Sequence, residues 1–211
     1  MVNKETLDLF ANIYNAAYRC IIYTHYFEMV DKDIEDKRNK NKEYKFWIAV
    51  QNTFADEACL YWTHVFGSHK KDNHLHYKHF FGRADVLALG QEFSKESVKK
   101  RILSVIGYDN NKYDEFWGNV KLCRNKFLAH KDIHVRFIYP DLIICRKMTE
   151  ELLAIFKELL EKWLPEDKYN KIWQFDIDEK DGDKNTLHMY KELSRHKLYE
   201  ICLLDYNARN D

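Results

Sequence analysis

Two prolines and six glycines in 211 residues leave this chain few places to break. Proline removes a backbone donor and fixes φ, and glycine frees the backbone, so both punctuate regular structure. Their scarcity excludes collagen-like and low-complexity classes. Cysteine is equally unpatterned: Cys20, Cys59, Cys123, Cys145 and Cys202 stand singly, are odd in number and form no CxxC pair. Each lies among apolar residues, where a thiol packs as a small hydrophobe, and no disulfide framework is expected. No apolar run approaches the ~20 residues that span a bilayer. Met1-Val2-Asn3-Lys4-Glu5 begins a charged amphipathic pattern instead of a signal-peptide core. A reduced, soluble, cytoplasmic protein with no membrane partner is the expectation. Net charge is missing too, with 34 Lys and Arg against 34 Asp and Glu. That excludes binding to nucleic acid by overall electrostatics and leaves room for a local basic groove.

The catalytic signatures that are easiest to recognise are also missing. There is no glycine-rich phosphate loop, GxSxG elbow, HExxH pair or Rossmann fingerprint. Carboxylates are interleaved with Lys, as in Glu158-Leu159-Leu160-Glu161-Lys162, a solvated helix pattern. No cofactor and no metal are expected. His69, His74, His76 and His79 invite a metal reading, but no Cys or carboxylate is spaced among them as zinc sites require. They read as a polar, solvated loop over 69–82. Lys99-Lys100-Arg101 reads as a solvated helix face, or as a basic patch if it lies beside a site.

What remains is an apolar and aromatic chain: 45% hydrophobic, with thirteen Phe, fourteen Tyr and five Trp. These aromatics read chiefly as helix packing, and some as stacking surfaces for bases. Leu7, Phe10, Ile13, Tyr14, Ala17, Tyr18 and Ile21 recur at three- and four-residue spacing and predict a helix over 4–30. The charged stretch 31–42 reads as helix end or loop. A second helix is predicted over 44–66, burying Trp47, Ile48, Gln51, Phe54, Ala55, Ala58, Trp62 and Val65 and stopped by Gly67-Ser68. A short element falls over 84–93. Ser94 offers an N-cap for a helix to Ile106, closed by Gly107. The next helix spans 112–130, with Phe116, Val120, Cys123 and Phe127 as its apolar seam. Pro140 breaks the chain before a helix over 141–164, and Pro165 ends it. Beyond, Ile172, Trp173 and Phe175 are docking candidates and 186–204 reads as a last helix. The expected architecture is all-α: an up-and-down bundle over 1–165 with a helical extension, 166–211, packed on the same domain.

Chemistry concentrates in Arg124-Asn125-Lys126-Phe127-Leu128-Ala129-His130, followed by Lys131-Asp132. Arg presents a planar fork of donors to a phosphate, and His moves a proton near neutral pH. Plain helix C-terminal chemistry also explains such a run, because cations favour the negative end of the macrodipole.

The run resembles the Arg-x(4–6)-His signature of HEPN-domain proteins, in the branch associated with abortive phage infection. Tyr61-Trp62-Thr63-His64-Val65-Phe66-Gly67 resembles the Trp-x-x-x-Phe-Gly helix ending of that branch. The resemblance covers residues 5–165. It implies a helical bundle, usually dimeric, and often a metal-independent endoribonuclease serving as a toxin or antiviral defence effector. Arg124, Asn125 and His130 carry over as catalytic residues, with Lys126 and Lys131 as weaker substrate contacts. The implied partners are RNA, a second copy of the chain, and an antitoxin or defence-system component. In a related branch a Tyr two residues after the His is modified by a nucleotidyltransferase antitoxin; here that position is Asp132. A non-catalytic HEPN-like module binding RNA, nucleotide or a protein stays open as the alternative. On a continuous α-helix Arg124 and His130 would stand about 240° apart around the axis and roughly 9 Å apart along it. A two-fold dimer, bringing two such helix ends to one groove, relieves that mismatch.

Overall fold

The computed structural model describes residues 3–37, 44–69, 73–128 and 139–163, with the side chains of 32–37, 44–45 and 126–128 outside that description. In chain order it contains α1 (Lys4–Lys37), α2 (Tyr44–Phe66), α3 (Tyr77–Phe80), α4 (Ala84–Leu87), a 3₁₀ turn (Gln91–Phe93), α5 (Lys95–Ile106), α6 (Asn110–Leu122), a π-helical segment (Cys123–Leu128) and α7 (Leu142–Trp163). The fold is all-α, with no strand among the described residues. No described helix is long and apolar enough to cross a membrane.

The bundle is built on α1. Gln51 bonds Asp31 at 2.7 Å and Arg19 bonds the Tyr61 hydroxyl at 2.6 Å, so α2 runs antiparallel to α1. Arg146 meets Glu28 at 2.5 Å near the end of α1, while Phe156 packs on Phe10 near its start, so α7 is antiparallel to α1 as well. Arg101 on α5 then grips α7 through Glu151 and Glu158, with Nε–Oε1 at 2.9 Å and Nη2–Oε1 at 2.8 Å. Phe156 lies at the centre of the core, fully buried and in ring contact with Phe10, Tyr14, Phe80 and Phe81.

The helix ends follow local chemistry. Ser94 accepts from Ser97 N and starts α5, and Gly107 ends it in the left-handed region at φ 66°. Asp109 caps α6 through Lys112 N at 2.8 Å, and Asp141 caps α7 through Ile143 N at 2.9 Å. The Ser94 and Gly107 boundaries of α5 match the sequence reading.

Several expectations change. α1 continues to Lys37 instead of ending near Val30, because the charged residues after it keep a helix-compatible spacing of opposite signs. The predicted buried face of α2 holds from Ala55 onward. Before it, Trp47, Ile48, Gln51 and Phe54 are only half-buried, and Phe46 is 62% exposed. The predicted helix over 112–130 starts at Asn110 and leaves α geometry at Cys123. Of its seam, Phe116, Val120 and Cys123 are buried, and the Phe127 side chain falls outside the described residues. The extension 166–211, its boundary with the bundle, and Cys202 also lie outside them.

The largest correction concerns 69–82. Its described part from Leu75 to Gly82 is not a solvated loop: Tyr77, Phe80 and Phe81 are buried around α3, and His76 is only 3% exposed. Aromatic anchors between the histidines hold it down, an outcome the polar composition conceals. His69, His76 and His79 converge, with ring centroids of His69 at 4.9 Å from His76 and 4.4 Å from His79. They form no metal-holding group, and His76 Nδ1 is already engaged, accepting from Lys78 N at 3.1 Å to cap α3. Burial, reinforced by the charges of His69 and Lys78, pushes His76 down to about 3.

That shift makes the fold acid-sensitive. Above pH ~6.5 both folded and unfolded His76 are neutral and make no pH-dependent difference. As pH falls below that value the unfolded chain takes up a proton that folded His76 refuses. Stability therefore declines towards about pH 3, at up to ~1.4 kcal/mol per pH unit. Urea unfolding should show this decline in the wild type and a shallower one in His76→Asn, which keeps an acceptor for the cap. Parallel declines in the two proteins would disprove it.

Candidate functional site

Where the α-helical ladder of α6 ends, the chain widens into a π-turn over Cys123–Leu128. Such turns are rare and concentrate at functional sites. Its first residue is anchored from below: Cys123 is fully buried and shares a side-chain hydrogen bond with Cys59 of α2. Cys20, Cys59, Cys123 and Cys145 are all buried free thiols. Burial pushes Cys20 up to about 12 and Cys145 well above the usual thiol range, which makes them inert packing groups.

Arg124 and Asn125 follow, both half-buried. Arg124 donates from Nε at 2.9 Å and from Nη2 at 2.7 Å to the single Oδ1 of Asn125. Two donors on one oxygen fix the plane of the guanidinium and leave its other N–H groups for a guest. Among the described arginines, Arg83, Arg101 and Arg146 each meet a carboxylate. Arg124 has no carboxylate partner among the described residues. A half-buried cation held by a neutral amide keeps much of its field for a further anion.

The end of α2 lies beneath it. Arg124 lines a small cleft with Trp62, Thr63, Gly67, Ser68, Trp117 and Lys121. Gly67 is demanded by space, because a Cβ there would collide with the Thr63 carbonyl. Its N–H closes on that carbonyl at 3.0 Å, and Trp117 Nε1 donates to Phe66 O at 3.1 Å, joining α6 to the end of α2. Lys121 lies over the Trp117 ring, 4.8 Å from its centroid.

On the adjoining face of α2, His64 is half-buried and stands edge-on to Tyr61 at 5.9 Å. Tyr61 stacks in turn on Tyr23 at 5.7 Å and 9°. Burial lowers His64 below the ordinary imidazole range, the Arg124 charge lowers it further, and Glu57 partly restores it. The His64 imidazole thus stands within the field of the guanidinium that Asn125 holds.

The described part of the candidate site thus contains Arg124 and Asn125 together. His130 and Lys131 lie outside the described residues, as does the Lys126 side chain. Cys123 and Tyr139, both described, contact α2: Cys123 bonds Cys59, and the Tyr139 hydroxyl donates to Asp56 Oδ1 at 2.8 Å. The α-helical arithmetic that separated Arg124 from His130 no longer applies, since the α-helix stops at Leu122. Lys99-Lys100-Arg101 is not a free basic patch: Arg101 is committed to α7 and Lys99 bonds Asn110 at 2.8 Å. Sequence reasoning missed Lys121, Ser68 and His64. The run from Tyr61 to Gly67 pointed to the right helix end, but nothing in the sequence showed that α6 and the π-turn meet it.

Comparison with family models, with curated proteins and with solved structures finds no match.

If Arg124 depresses His64 as this geometry requires, Arg124→Gln raises the His64 pKa while leaving it below the free value, because burial persists. Histidine ring resonances followed by NMR through a pH titration measure this directly. An unchanged His64 midpoint would separate the two residues.

Proposed function

We propose that this protein is a metal-independent endoribonuclease of the HEPN type, acting in the cytoplasm as a toxin or abortive-infection effector. The observation that carries this reading is Arg124: half-buried, carboxylate-free, aimed by Asn125 and mounted on a π-turn above a cleft. A cation in that state suits an oxyanion whose charge grows during reaction. The sequence resemblance supplies the reaction class and the role of His130.

In this mechanism the ribose 2′-oxygen attacks the adjacent phosphorus and the bond from phosphorus to the 5′-oxygen breaks. The products are a 2′,3′-cyclic phosphate and a 5′-hydroxyl. Arg124 neutralises the phosphoryl oxygens while Asn125 holds its guanidinium in plane. His130 removes the 2′-hydroxyl proton, and His130 of the partner subunit in a homodimer protonates the leaving oxygen. Lys126 and Lys131 add charge for the flanking backbone. The stacked Tyr23 and Tyr61, both half-buried, offer a surface for a base beside the site.

Purified protein should cleave mixed RNA in EDTA and leave cyclic phosphate ends. Arg124→Ala and His130→Ala should each lower the rate by ~10²–10⁴-fold with unchanged helical content, while His134→Ala keeps most activity. Light scattering should give a dimer for all of these proteins. Wild-type rates in His130→Ala would disprove the catalytic assignment. RNA binding without cleavage would favour the non-catalytic module.

A further inference from the structure

The floor of the cleft is short of acceptors. The Thr63 carbonyl already receives Gly67 N at 3.0 Å and Asn73 Nδ2 at 3.4 Å, and the Ser68 carbonyl receives Asn73 Nδ2 at 3.2 Å. Trp117 Nε1 occupies the Phe66 carbonyl at 3.1 Å. Two of the terminal carbonyls that give the end of α2 its negative pole, Thr63 and Phe66, are therefore engaged from within the protein. Donors remain. Trp62 is fully buried and lines the cleft, and its Nε1–H has no hydrogen-bond partner. An indole nitrogen only donates, and an unpaired buried donor costs ~1–3 kcal/mol. Arg124 and Lys121 are likewise donors only, and neither meets a carboxylate among the described residues; no lining residue is acidic.

We propose that this cleft is a phosphoryl-oxygen pocket, in which Trp62 Nε1–H, the Ser68 hydroxyl and Lys121 Nζ join Arg124 around one phosphate of the RNA backbone. The identification of the anion as a phosphoryl group rests on the ribonuclease reading, whereas the excess of donors does not. One oxygen enters the narrow floor beside Trp62, while the two cations at the mouth take the others. The pocket thus recognises backbone and leaves bases outside, so it contributes affinity and register without sequence preference.

The test is a titration of ¹⁵N-labelled protein, watching the tryptophan indole N–H signals. Inorganic phosphate and a 2′-deoxy dinucleotide, an uncleavable phosphodiester, serve as probes, with acetate at equal ionic strength as the comparator. The Trp62 signal is assigned through Trp62→Phe or, where that variant does not fold, through its contacts with Phe66 and Phe116. The expected result is a saturable shift of the Trp62 signal with both phosphoryl probes and none with acetate. Lys121→Ala, on an exposed residue, should weaken it about tenfold, and Ser68→Ala should weaken it less. A motionless Trp62 signal would overturn the pocket. An equal response to acetate would overturn its phosphoryl character. RNA cleavage is measured in parallel on the same samples. Phosphate binding at Trp62 without cleavage upholds the pocket and rejects the ribonuclease. Cleavage at wild-type KM in Lys121→Ala, with Trp62 unresponsive, does the reverse.

Discussion

The last three turns of α2 bury one wide face and half-bury the other, and the candidate site depends on that burial. Ala55, Ala58, Cys59, Trp62, Thr63, Val65 and Phe66 are all buried, most of them completely. A buried face that wide needs neighbours in more than one direction, which a single partner helix cannot provide. α1, α6, α7 and the π-turn together do so. The same segment gathers hydrogen bonds from four distant parts of the chain. Tyr139 reaches Asp56, Cys123 meets Cys59, Trp117 closes on Phe66 and Asn73 on Thr63. Fixing one helix end therefore fixes the start of the π-turn, the floor of the cleft and the return of the chain into α7.

Rigidity at that point allows Arg124 to stay unpaired. A half-buried guanidinium loses part of its hydration, and most proteins compensate it with a carboxylate. This chain does so at Arg101 and Arg146. At Arg124 it supplies only an amide oxygen, and it surrounds the residue with Lys121 and the imidazole of His64. Such an arrangement adds little to stability. It is tolerable because Cys123, one residue earlier, is pinned in the core and the backbone cannot easily turn away. The π-turn belongs to the same compromise: it gives up regular α-helical bonding at the residues whose side chains must face the cleft.

How much of this was legible in the sequence follows from the range of each signal. Caps and stops are local, so Ser94, Gly107 and the Gly67-Ser68 ending of α2 could be read from neighbouring residues alone. Amphipathic spacing is nearly local, and it located α2, α5 and α7 within a few residues. It failed over 69–82, where buried Tyr77, Phe80 and Phe81 sit among histidines and lysines and composition outweighed three anchors. It failed again at Cys123, because a widening from α to π geometry leaves the hydrophobic spacing almost unchanged. The pair Arg124 and Asn125 was visible as chemistry. Its cleft was not, since Trp62, Ser68 and Lys121 come together only through the packing of α6 on α2.

Net charge illustrates the same limit. Equal numbers of acidic and basic residues make the chain neutral as a whole, which speaks against nucleic acid binding when only the sum is considered. Pairing changes the conclusion. Carboxylates of Glu5, Glu28, Glu151 and Glu158 are taken up by Arg83, Arg146 and Arg101, where they neutralise structural cations. Arg19 has the Tyr61 hydroxyl in place of a carboxylate, and Arg124 has Asn125. The neutral total is thus compatible with a small cationic region around the end of α2, offset by acidic residues elsewhere in the sequence. Within about 10 Å, the Debye length at moderate salt, a phosphate responds to that local excess and little to the total. A protein without net charge can in this way present a positive site while the rest of its surface stays balanced.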